Sequence, residues 1–321
     1  MSGALRIGVL GGGAGIARRR MIPAITAAEG VELTAVASRD GARARETAAP
    51  YGAHPVRGYQ ELLDRDDVDA VYVPLPAALH ERWTEAALRA GKHVLAEKPL
   101  TTDPAATGRL LTLARRSGLF LMENVMFVHH GQHEAVRGLL ADGAIGEIRG
   151  LSAAFAVPRL ADDDIRYRAD LGGGALWDTG VYPVRAALHL LGDALTVRGA
   201  VLSDGPGREV DTAGAALLST PEGVTAQLAF GLDHAYRSGY ELWGSEGTLT
   251  VDRVFTPPAD HHPEVRLRKG TETRTLRLPA QDQVLATVAA FARGVRAGAA
   301  PDDTPLRQAQ LLHAIRRAAG R

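Results

Sequence analysis

The chain has 321 residues, with 37 Lys and Arg against 37 Asp and Glu, and it contains no cysteine. The zero net charge argues against partners that are recognised through a basic surface, so we expect no nucleic-acid partner and no membrane partner. The lack of cysteine excludes disulfides, cysteine–zinc sites, iron–sulfur clusters and thiol catalysis.

The length and the N-terminal residues indicate the broad class of protein. At roughly 100–200 residues per domain, the length predicts two domains. None of the apolar runs approaches the roughly 20 residues that are needed to span a bilayer. The first apolar run dissolves into glycines after residue 10 and does not lead to a small-residue cleavage site. We therefore expect a cytoplasmic protein.

Short apolar runs alternate with helical patterns over the first 125 residues. This alternation predicts an α/β fold with an N-terminal Rossmann domain, built on a doubly wound parallel sheet. The predicted strands are 5–10, 31–38, 54–56, 68–75, 92–100 and 119–124. The predicted helices run from the glycines to about residue 28 and over 41–49, 59–65, 80–91 and 103–118.

The pattern changes after about residue 145. Strand-like runs there alternate apolar with polar residues and are joined by tight turns, with one helix predicted over 175–191. This pattern predicts a C-terminal α/β domain with a mostly antiparallel, open-faced sheet. Helices are predicted over 281–297 and 304–319. The sequence thus divides into predicted domains 1–123 and 124–321.

A glycine-rich turn follows the first predicted strand. Small residues let the backbone approach a pyrophosphate at a helix N-terminus, although the strict GxGxxG spacing is absent and the nearest match is Gly12-x-Ala14-x-x-Ala17. The alternative is a merely flexible loop. The residues expected to contact a dinucleotide are Gly11, Gly12, Gly13, Ala14, Gly15 and Ile16.

The second predicted strand ends at Ser38-Arg39. An NAD enzyme usually carries Asp or Glu here, to bind the ribose 2′-hydroxyl. A hydroxyl and a guanidinium suit a 2′-phosphate instead, through charge-assisted hydrogen bonds. We therefore predict NADP (as NADPH) as the cofactor; the alternative for Arg39 is an ordinary solvated surface arginine.

Two further motifs carry groups that can handle protons. Glu97-Lys98-Pro99 ends a predicted parallel strand, where ligands bind in open α/β sheets. Asp178 and Tyr182 follow three glycines at i and i+4 of a predicted helix, which suits acid–base chemistry. The alternatives are a surface charge for Lys98 and a core residue for Tyr182, since Pro183 fits a first helical turn better than a helix interior.

In this order the motifs resemble those of the glucose–fructose oxidoreductase/inositol dehydrogenase (Gfo/Idh/MocA) family. The resemblance implies that residues 1–123 bind NADP and that 124–321 bind the substrate and form oligomers, as a homodimer or homotetramer through the C-terminal sheet. It implies that Lys98, Asp178 and Tyr182 are catalytic and contact the substrate. Candidate cofactor contacts beyond the glycine turn and Ser38-Arg39 are Leu75, His80, Glu97, Lys98 and Arg166; Tyr236 is a further candidate substrate contact.

Segments 58–80, 123–149 and 162–192 resemble more narrowly the actinomycete nucleotide-sugar 3-ketoreductases of antibiotic deoxysugar biosynthesis. This implies NADPH-dependent reduction of the 3-keto group of a dTDP-linked 3,4-diketo-2,6-dideoxyhexose. Lys98 would stabilise the developing alkoxide, and either Lys98 or Tyr182 would donate the proton. The alternatives are a dihydrodiol, free-sugar or cyclitol dehydrogenase of the same family, or a non-catalytic cofactor-sensing regulator.

A few other residues invite a functional interpretation. His129, His130 and His133 have a spacing that could suit a metal, but the start of an amphipathic helix explains them better, and we expect no metal. Trp83 and Trp243 are interpreted as packing residues.

Overall fold

The structure is a computed structural model, and it describes residues 3–321. The strands are β1 Leu5–Leu10, β2 Val31–Ser38, β3 His54–Arg57, β4 Ala70–Val73, β5 His93–Glu97, β6 Leu121–Asn124, β7 Ile148–Ala156, β8 Thr196–Asp204, β9 Asp211–Ser219, β10 Thr225–Gly231, β11 Arg237–Gly244, β12 Thr248–Asp252, β13 Glu264–Lys269 and β14 Glu272–Arg277. The α-helices are α1 Ile22–Ala27, α2 Gly41–Ala48, α3 Gln60–Leu63, α4 Ala77–Arg89, α5 Pro104–Arg116, α6 Gly131–Ala141, α7 Ala175–Asp178, α8 Val181–Leu191, α9 Gln283–Arg296 and α10 Thr304–Ala318.

The chain forms two compact units. The first contains the residues up to Asn124 together with Val284–Pro305, and the second contains Val125–Gln283 together with Leu306–Arg321. The segment Val284–Pro305 therefore belongs with the N-terminal residues, which differs from the predicted division into 1–123 and 124–321. The functions assigned to the two domains stay predictions.

The first unit is built on a six-stranded parallel sheet in the order β3-β2-β1-β4-β5-β6. The middle strands β1 and β4 are buried almost throughout, as a parallel sheet covered on both faces requires. The strand order reverses between β1 and β4, and ligands of such sheets bind outside the carboxyl ends of the strands at this point. The predicted Rossmann sheet is confirmed.

One helix of the first unit begins where its capping residue predicts, whereas another differs from the predicted regular helix. Asp103 accepts hydrogen bonds from the backbone N–H groups of Ala105 and Ala106 and so starts α5. The helix predicted after the glycines is not uniform, because Ala17–Met21 forms a π-helical turn before α1. Such turns are frequent near functional sites.

The second unit is built on an eight-stranded sheet in the order β14-β13-β12-β11-β7-β10-β9-β8. Its neighbouring strands are antiparallel except for β7 and β10, which are parallel. One face packs against α7 and α8, and the other face is open. The open face carries Val201, Leu217 and Trp243, all exposed. A mostly antiparallel, open-faced sheet is therefore confirmed, whereas Trp243 is not a packing residue within this chain, since 66% of it is exposed.

The helix predicted over 175–191 is divided at Thr179-Gly180 into α7 and α8. Pro183 has no N–H to donate to the carbonyl of Thr179, so the N–H of Tyr182 donates to that carbonyl instead, at 3.3 Å. Pro183 therefore lies in the first turn of α8, and Asp178 ends the preceding helix. The strand β14 was not predicted because its side chains are nearly all exposed and show no apolar alternation.

Candidate active site

The glycine turn joins β1 to helical backbone that begins at Gly15. The N–H groups of Gly11 and Gly12 donate to the carbonyl of Ala37, at 3.0 and 2.9 Å, which fixes the end of β1 beside the end of β2. Gly11 has a φ of 121°, and a Cβ on it would lie 2.9 Å from Cδ2 of Leu75. A Cβ on Gly12 would collide with Val36. The turn is thus a close-packed cradle of bare backbone at a helix N-terminus, and it fits a dinucleotide pyrophosphate.

Ser38 and Arg39 lie at the carboxyl end of β2, next to this cradle. The hydroxyl of Ser38 accepts a hydrogen bond from the N–H of Asp40 at 3.2 Å, and Asp40 in turn caps α2. The Arg39 side chain is exposed and lies beside the phenol of Tyr59. The edge where a ribose would lie therefore presents a guanidinium and no acceptor carboxylate at these two positions.

His80 lies on the first turns of α4 and is 1% exposed. Its Nδ1 is 2.7 Å from the carbonyl oxygen of Pro99, and its Nε2 is 2.6 Å from that of Leu75. Because both ring nitrogens are engaged with backbone, this geometry speaks against the predicted direct contact with a cofactor. Leu75 itself is buried against the glycine turn.

Glu97 ends β5 and is also buried. Its Oε1 accepts hydrogen bonds from the Tyr72 hydroxyl and from Nδ2 of Asn124, both at 2.6 Å, and its Oε2 lies 3.3 Å from the N–H of Lys98. Burial raises the pKa of Glu97, and these donors oppose that change. Glu97 is therefore held inside the first unit, and the predicted cofactor contact through its carboxylate does not fit these contacts.

Lys98 follows Glu97 directly and is half-buried, at the carboxyl edge of the parallel sheet. The Lys98–Pro99 peptide bond is cis. The structure places Lys98 on the same edge as the glycine turn and Ser38-Arg39, as the sequence predicted.

Asp178 and Arg166 meet in the second unit. Nε of Arg166 donates to Oδ2 of Asp178 at 2.8 Å, and its Nη1 donates to Asp164 at 3.1 Å. The charge of Asp178 is the main cause that raises the pKa of Arg166 above its ordinary value. Arg166 is therefore the ion-pair partner of Asp178 within this unit, and its predicted cofactor contact stays a prediction.

Asp211 is a residue of this region that the sequence analysis missed. It is buried at the start of β9, and its Oδ2 accepts a hydrogen bond from the N–H of Leu176 at 2.7 Å. It thereby caps the short helix that ends at Asp178, while Gly174, with a φ of 120°, leaves room for its carboxylate. Burial raises the pKa of Asp211. No local pattern marks this role, because Asp211 and Leu176 are distant in sequence.

Tyr182 is half-buried and packs in a cluster of aromatic rings. Its ring centroid is 4.7 Å from that of Phe155, 5.6 Å from Phe255 and 6.1 Å from Phe127. Edge-to-face and tilted contacts of this kind hold a ring in one orientation. Tyr236, the other candidate substrate contact, is 45% exposed between β10 and β11, with its hydroxyl 3.4 Å from Oγ1 of Thr256.

The three neighbouring histidines do not form a metal site in the part of the chain that the structure describes. His133 is fully buried on α6, with Nδ1 3.0 Å from the Tyr240 hydroxyl. Burial lowers the pKa of His133 to about 3. It is a neutral core residue, and His130 caps α6 by accepting from the N–H of Gln132.

The sequence matches two family profiles that together cover most of the chain. Residues 5–125 match an oxidoreductase family with an NAD-binding Rossmann fold, and residues 133–250 match the Gfo/Idh/MocA C-terminal domain. The chain belongs to the Gfo/Idh/MocA family. None of the helices in residues 3–321 is long and apolar enough to cross a membrane. The cytoplasmic location stays a prediction.

Close relatives share one description. A dTDP-3,4-didehydro-2,6-dideoxy-α-D-glucose 3-reductase from Streptomyces violaceoruber is 57% identical over 98% of this chain and 96% of its own length. One of the same description from Saccharopolyspora spinosa is 51% identical over 97% and 96%. A 3-ketoreductase from Actinomadura kijaniata, solved with NADP and TDP-benzene, superposes with a TM-score of 0.95 at 52% identity and covers 98% of both chains. Variants of that protein have been solved with one lysine changed to Ala or Glu and one tyrosine changed to Phe.

The capping contact of Asp211 leads to a test of local stability. Asp211→Ala leaves the N–H of Leu176 buried without an acceptor, which should lower the free energy of unfolding by about 1–3 kcal/mol. Asp211→Asn keeps an acceptor oxygen, so its free energy of unfolding should fall by less. Asp252→Ala on the same sheet is the control, because Asp252 is exposed and its ion pair with Arg266 is at the surface, so the loss should stay within about 0.5 kcal/mol. Urea unfolding measures all three; equal losses in Asp211→Ala and Asp252→Ala would contradict the cap.

Proposed function

We propose that the protein is an NADPH-dependent ketoreductase that reduces the 3-keto group of a dTDP-linked 3,4-diketo-2,6-dideoxyhexose in the biosynthesis of an antibiotic deoxysugar. The observation that carries this proposal is the 57% identity, over nearly the whole chain, with an enzyme described as acting on that substrate. The relative that was solved with NADP and TDP-benzene supports both the cofactor and the thymidine diphosphate part of the substrate.

The first unit offers the residues that would hold the cofactor. The bare backbone of the glycine turn would receive the pyrophosphate. The Arg39 guanidinium would pair with a 2′-phosphate, which distinguishes NADPH from NADH. When bound, NADPH supplies a hydride to the carbonyl carbon at sugar position 3.

Lys98 and Tyr182 are the proposed proton-handling residues. The lysine and the tyrosine that were changed in the solved variants of the Actinomadura protein are separated by the same number of residues as Lys98 and Tyr182. The ammonium of Lys98 would stabilise negative charge on the substrate oxygen. The Tyr182 phenol, held by Phe155 and Phe255, is the second proton donor. Asp178, paired with Arg166, would bind substrate hydroxyls, and Tyr236 stays a proposed substrate contact.

The proposal is tested by following NADPH oxidation with a dTDP-3,4-diketo-2,6-dideoxyhexose that is generated in situ, with NADH in parallel. We expect faster turnover with NADPH and a 3-hydroxy product. Arg39→Ala should raise the KM for NADPH by about 10- to 100-fold, since a charge-assisted hydrogen bond contributes about 1.5–3 kcal/mol. Arg45→Ala, which removes an exposed arginine further along α2, is the control and should leave that KM unchanged.

Three outcomes of this assay would contradict the proposal. Turnover that favours NADH would remove the assigned role of Arg39. Turnover only with a dihydrodiol, a free sugar or a cyclitol would replace the nucleotide sugar, and NADPH binding without any turnover would favour the cofactor-sensing regulator.

Substitution of the proton-handling residues should act on the chemical step. Lys98→Ala and Tyr182→Phe should each lower kcat, and the loss for the residue that is the general acid should be about 10²- to 10⁴-fold. The Kd for NADPH, measured by fluorescence, should change little. Lys269→Ala is the matched control, because Lys269 makes a surface ion pair with Glu246 on the second unit. An unchanged kcat in Lys98→Ala would remove Lys98 from the chemistry.

We also propose that the open face of the second sheet joins a second copy of this chain. Val201, Leu217 and Trp243 are exposed apolar side chains on this face, and Val201 lines a shallow cavity there together with Ala215 and Ala229. Contact with a second copy would remove these side chains from water.

A charge on this face should disrupt the dimer or tetramer. Leu217→Asp should reduce the mass that is measured by sedimentation velocity to that of one chain, because the burial of the carboxylate is unfavourable. Ile165→Asp, at an exposed apolar residue outside the sheet, should leave the mass unchanged. An unchanged mass in Leu217→Asp, or a wild-type protein that sediments as a single chain, would contradict this interface.

A further inference from the structure

The turn that carries Lys98, residues 97–100, is held by three buried ionisable side chains. We call these residues the lysine turn. Oε2 of Glu97 lies 3.3 Å from the N–H of Lys98, and Oε1 of Glu123 accepts from the N–H of Leu100 at 2.7 Å. On the other side, Nδ1 of His80 is 2.7 Å from the carbonyl oxygen of Pro99. The backbone on both sides of Lys98 is therefore fixed by groups from three different elements.

His80 differs from the two carboxylates because its second contact is also with an acceptor. Its Nε2 is 2.6 Å from the carbonyl oxygen of Leu75. A neutral imidazole has one N–H donor and one acceptor nitrogen, so it can satisfy only one of the two carbonyls and would place a lone pair against the other. An imidazolium donates from both nitrogens. The two short contacts therefore fit the cation and do not fit either neutral tautomer.

The charges around the ring act in both directions. On balance the pKa of His80 is lowered below its ordinary value, because burial is the largest effect and the Lys98 ammonium adds to it; the two carbonyl contacts and the Glu123 carboxylate act in the opposite direction. The case for the cation therefore stands on the two short contacts with carbonyl oxygens. The nearby Glu97 carboxylate receives hydrogen bonds from Tyr72 and Asn124 and from the backbone of Lys98, an acceptor pattern that fits the ionised form. The buried Glu123 carboxylate is the negative charge that acts on the His80 ring in favour of a second cation beside Lys98.

We propose that His80 is a positioning residue that acts as an imidazolium, tying the Pro99 carbonyl in the lysine turn to the Leu75 carbonyl that follows β4. The link joins the segment that presents Lys98 to the segment that packs on the glycine turn. It keeps the ammonium in one place relative to the cradle without touching either reactant. Its effect on catalysis rests on the proposed function of Lys98, whereas its protonation state does not.

The protonation state can be measured directly in the wild-type protein. Nitrogen NMR of protein labelled with ¹⁵N in its 11 histidines, with His80 assigned through correlations to its backbone, distinguishes protonated from unprotonated ring nitrogens. We expect two protonated nitrogens in His80 at pH 7. A single unprotonated nitrogen in His80 would overturn the proposal, and this result does not depend on whether any variant folds.

The positioning role is tested with His80→Gln and with Thr84→Val as the matched control. Both N–H groups of a Gln side chain are on one nitrogen, so Gln cannot reproduce donors at the two separate ring positions of His80. An ångström of displacement at a reacting group can lower a rate by about 10²-fold. We expect kcat to fall by about 10-fold or more while the KM for the sugar changes less than threefold. Thr84 lies one turn further on the same helix and its hydroxyl is buried without a hydrogen-bond partner in the described residues, so Thr84→Val should retain the wild-type kcat.

The outcomes separate this proposal from the function on which it partly rests. An unchanged kcat in folded His80→Gln would overturn the positioning role. A fall of equal size in Thr84→Val would also overturn it, because the effect would then be one of helix packing. A wild-type protein without any reductase activity would overturn the proposed function instead, while two protonated nitrogens in His80 would still support the imidazolium link.

Discussion

The edge of the first unit that presents Lys98 depends on one buried carboxylate. Glu97 lies at the end of β5 and receives the Tyr72 hydroxyl from β4 and the Asn124 amide from β6. A carboxylate in such a place is tolerated only if its lone pairs are satisfied. The carboxyl ends of the neighbouring strands β4, β5 and β6 must therefore keep their relative positions, and this also fixes the position of the next residue, Lys98.

In the second unit, Asp178 and Tyr182 are held in position by a helix cap, an ion pair and aromatic packing. Asp178 stands at the end of a helix of only four residues, which is too short to be stable by itself. The Asp211 carboxylate satisfies an N–H group at the start of this helix, and Arg166 pairs with Asp178 at its end. Tyr182 is held by aromatic packing against Phe155 and Phe255. Each side chain proposed for the chemistry is thus oriented by a neighbour that is not itself proposed to react.

Much of the fold follows from patterns that are local in the sequence. The buried β-branched runs, the Asp103-Pro104 start of α5 and the glycine turn each act over a few residues, so the Rossmann sheet and its cofactor edge could be predicted. The π-helical turn at Ala17–Met21, the division of the helix at Thr179-Gly180 and the exposed strand β14 could not. The backbone structure in those places depends on its hydrogen bonds. The spacing of apolar residues, from which helices and strands are predicted, does not show these bonds.

The sequence by itself indicated the residues that we propose for the chemistry, because Lys98, Asp178 and Tyr182 lie in short motifs that each span only a few residues. The sequence did not determine which neighbouring groups hold these side chains in place. His80, Glu97 and Arg166 were expected to contact a cofactor, and the tertiary structure gives them partners inside the protein: the carbonyls of Leu75 and Pro99, the donors of Tyr72 and Asn124, and the carboxylate of Asp178. Only folding decides such contacts, since a buried polar group takes whichever partner the packed chain brings within hydrogen-bond distance.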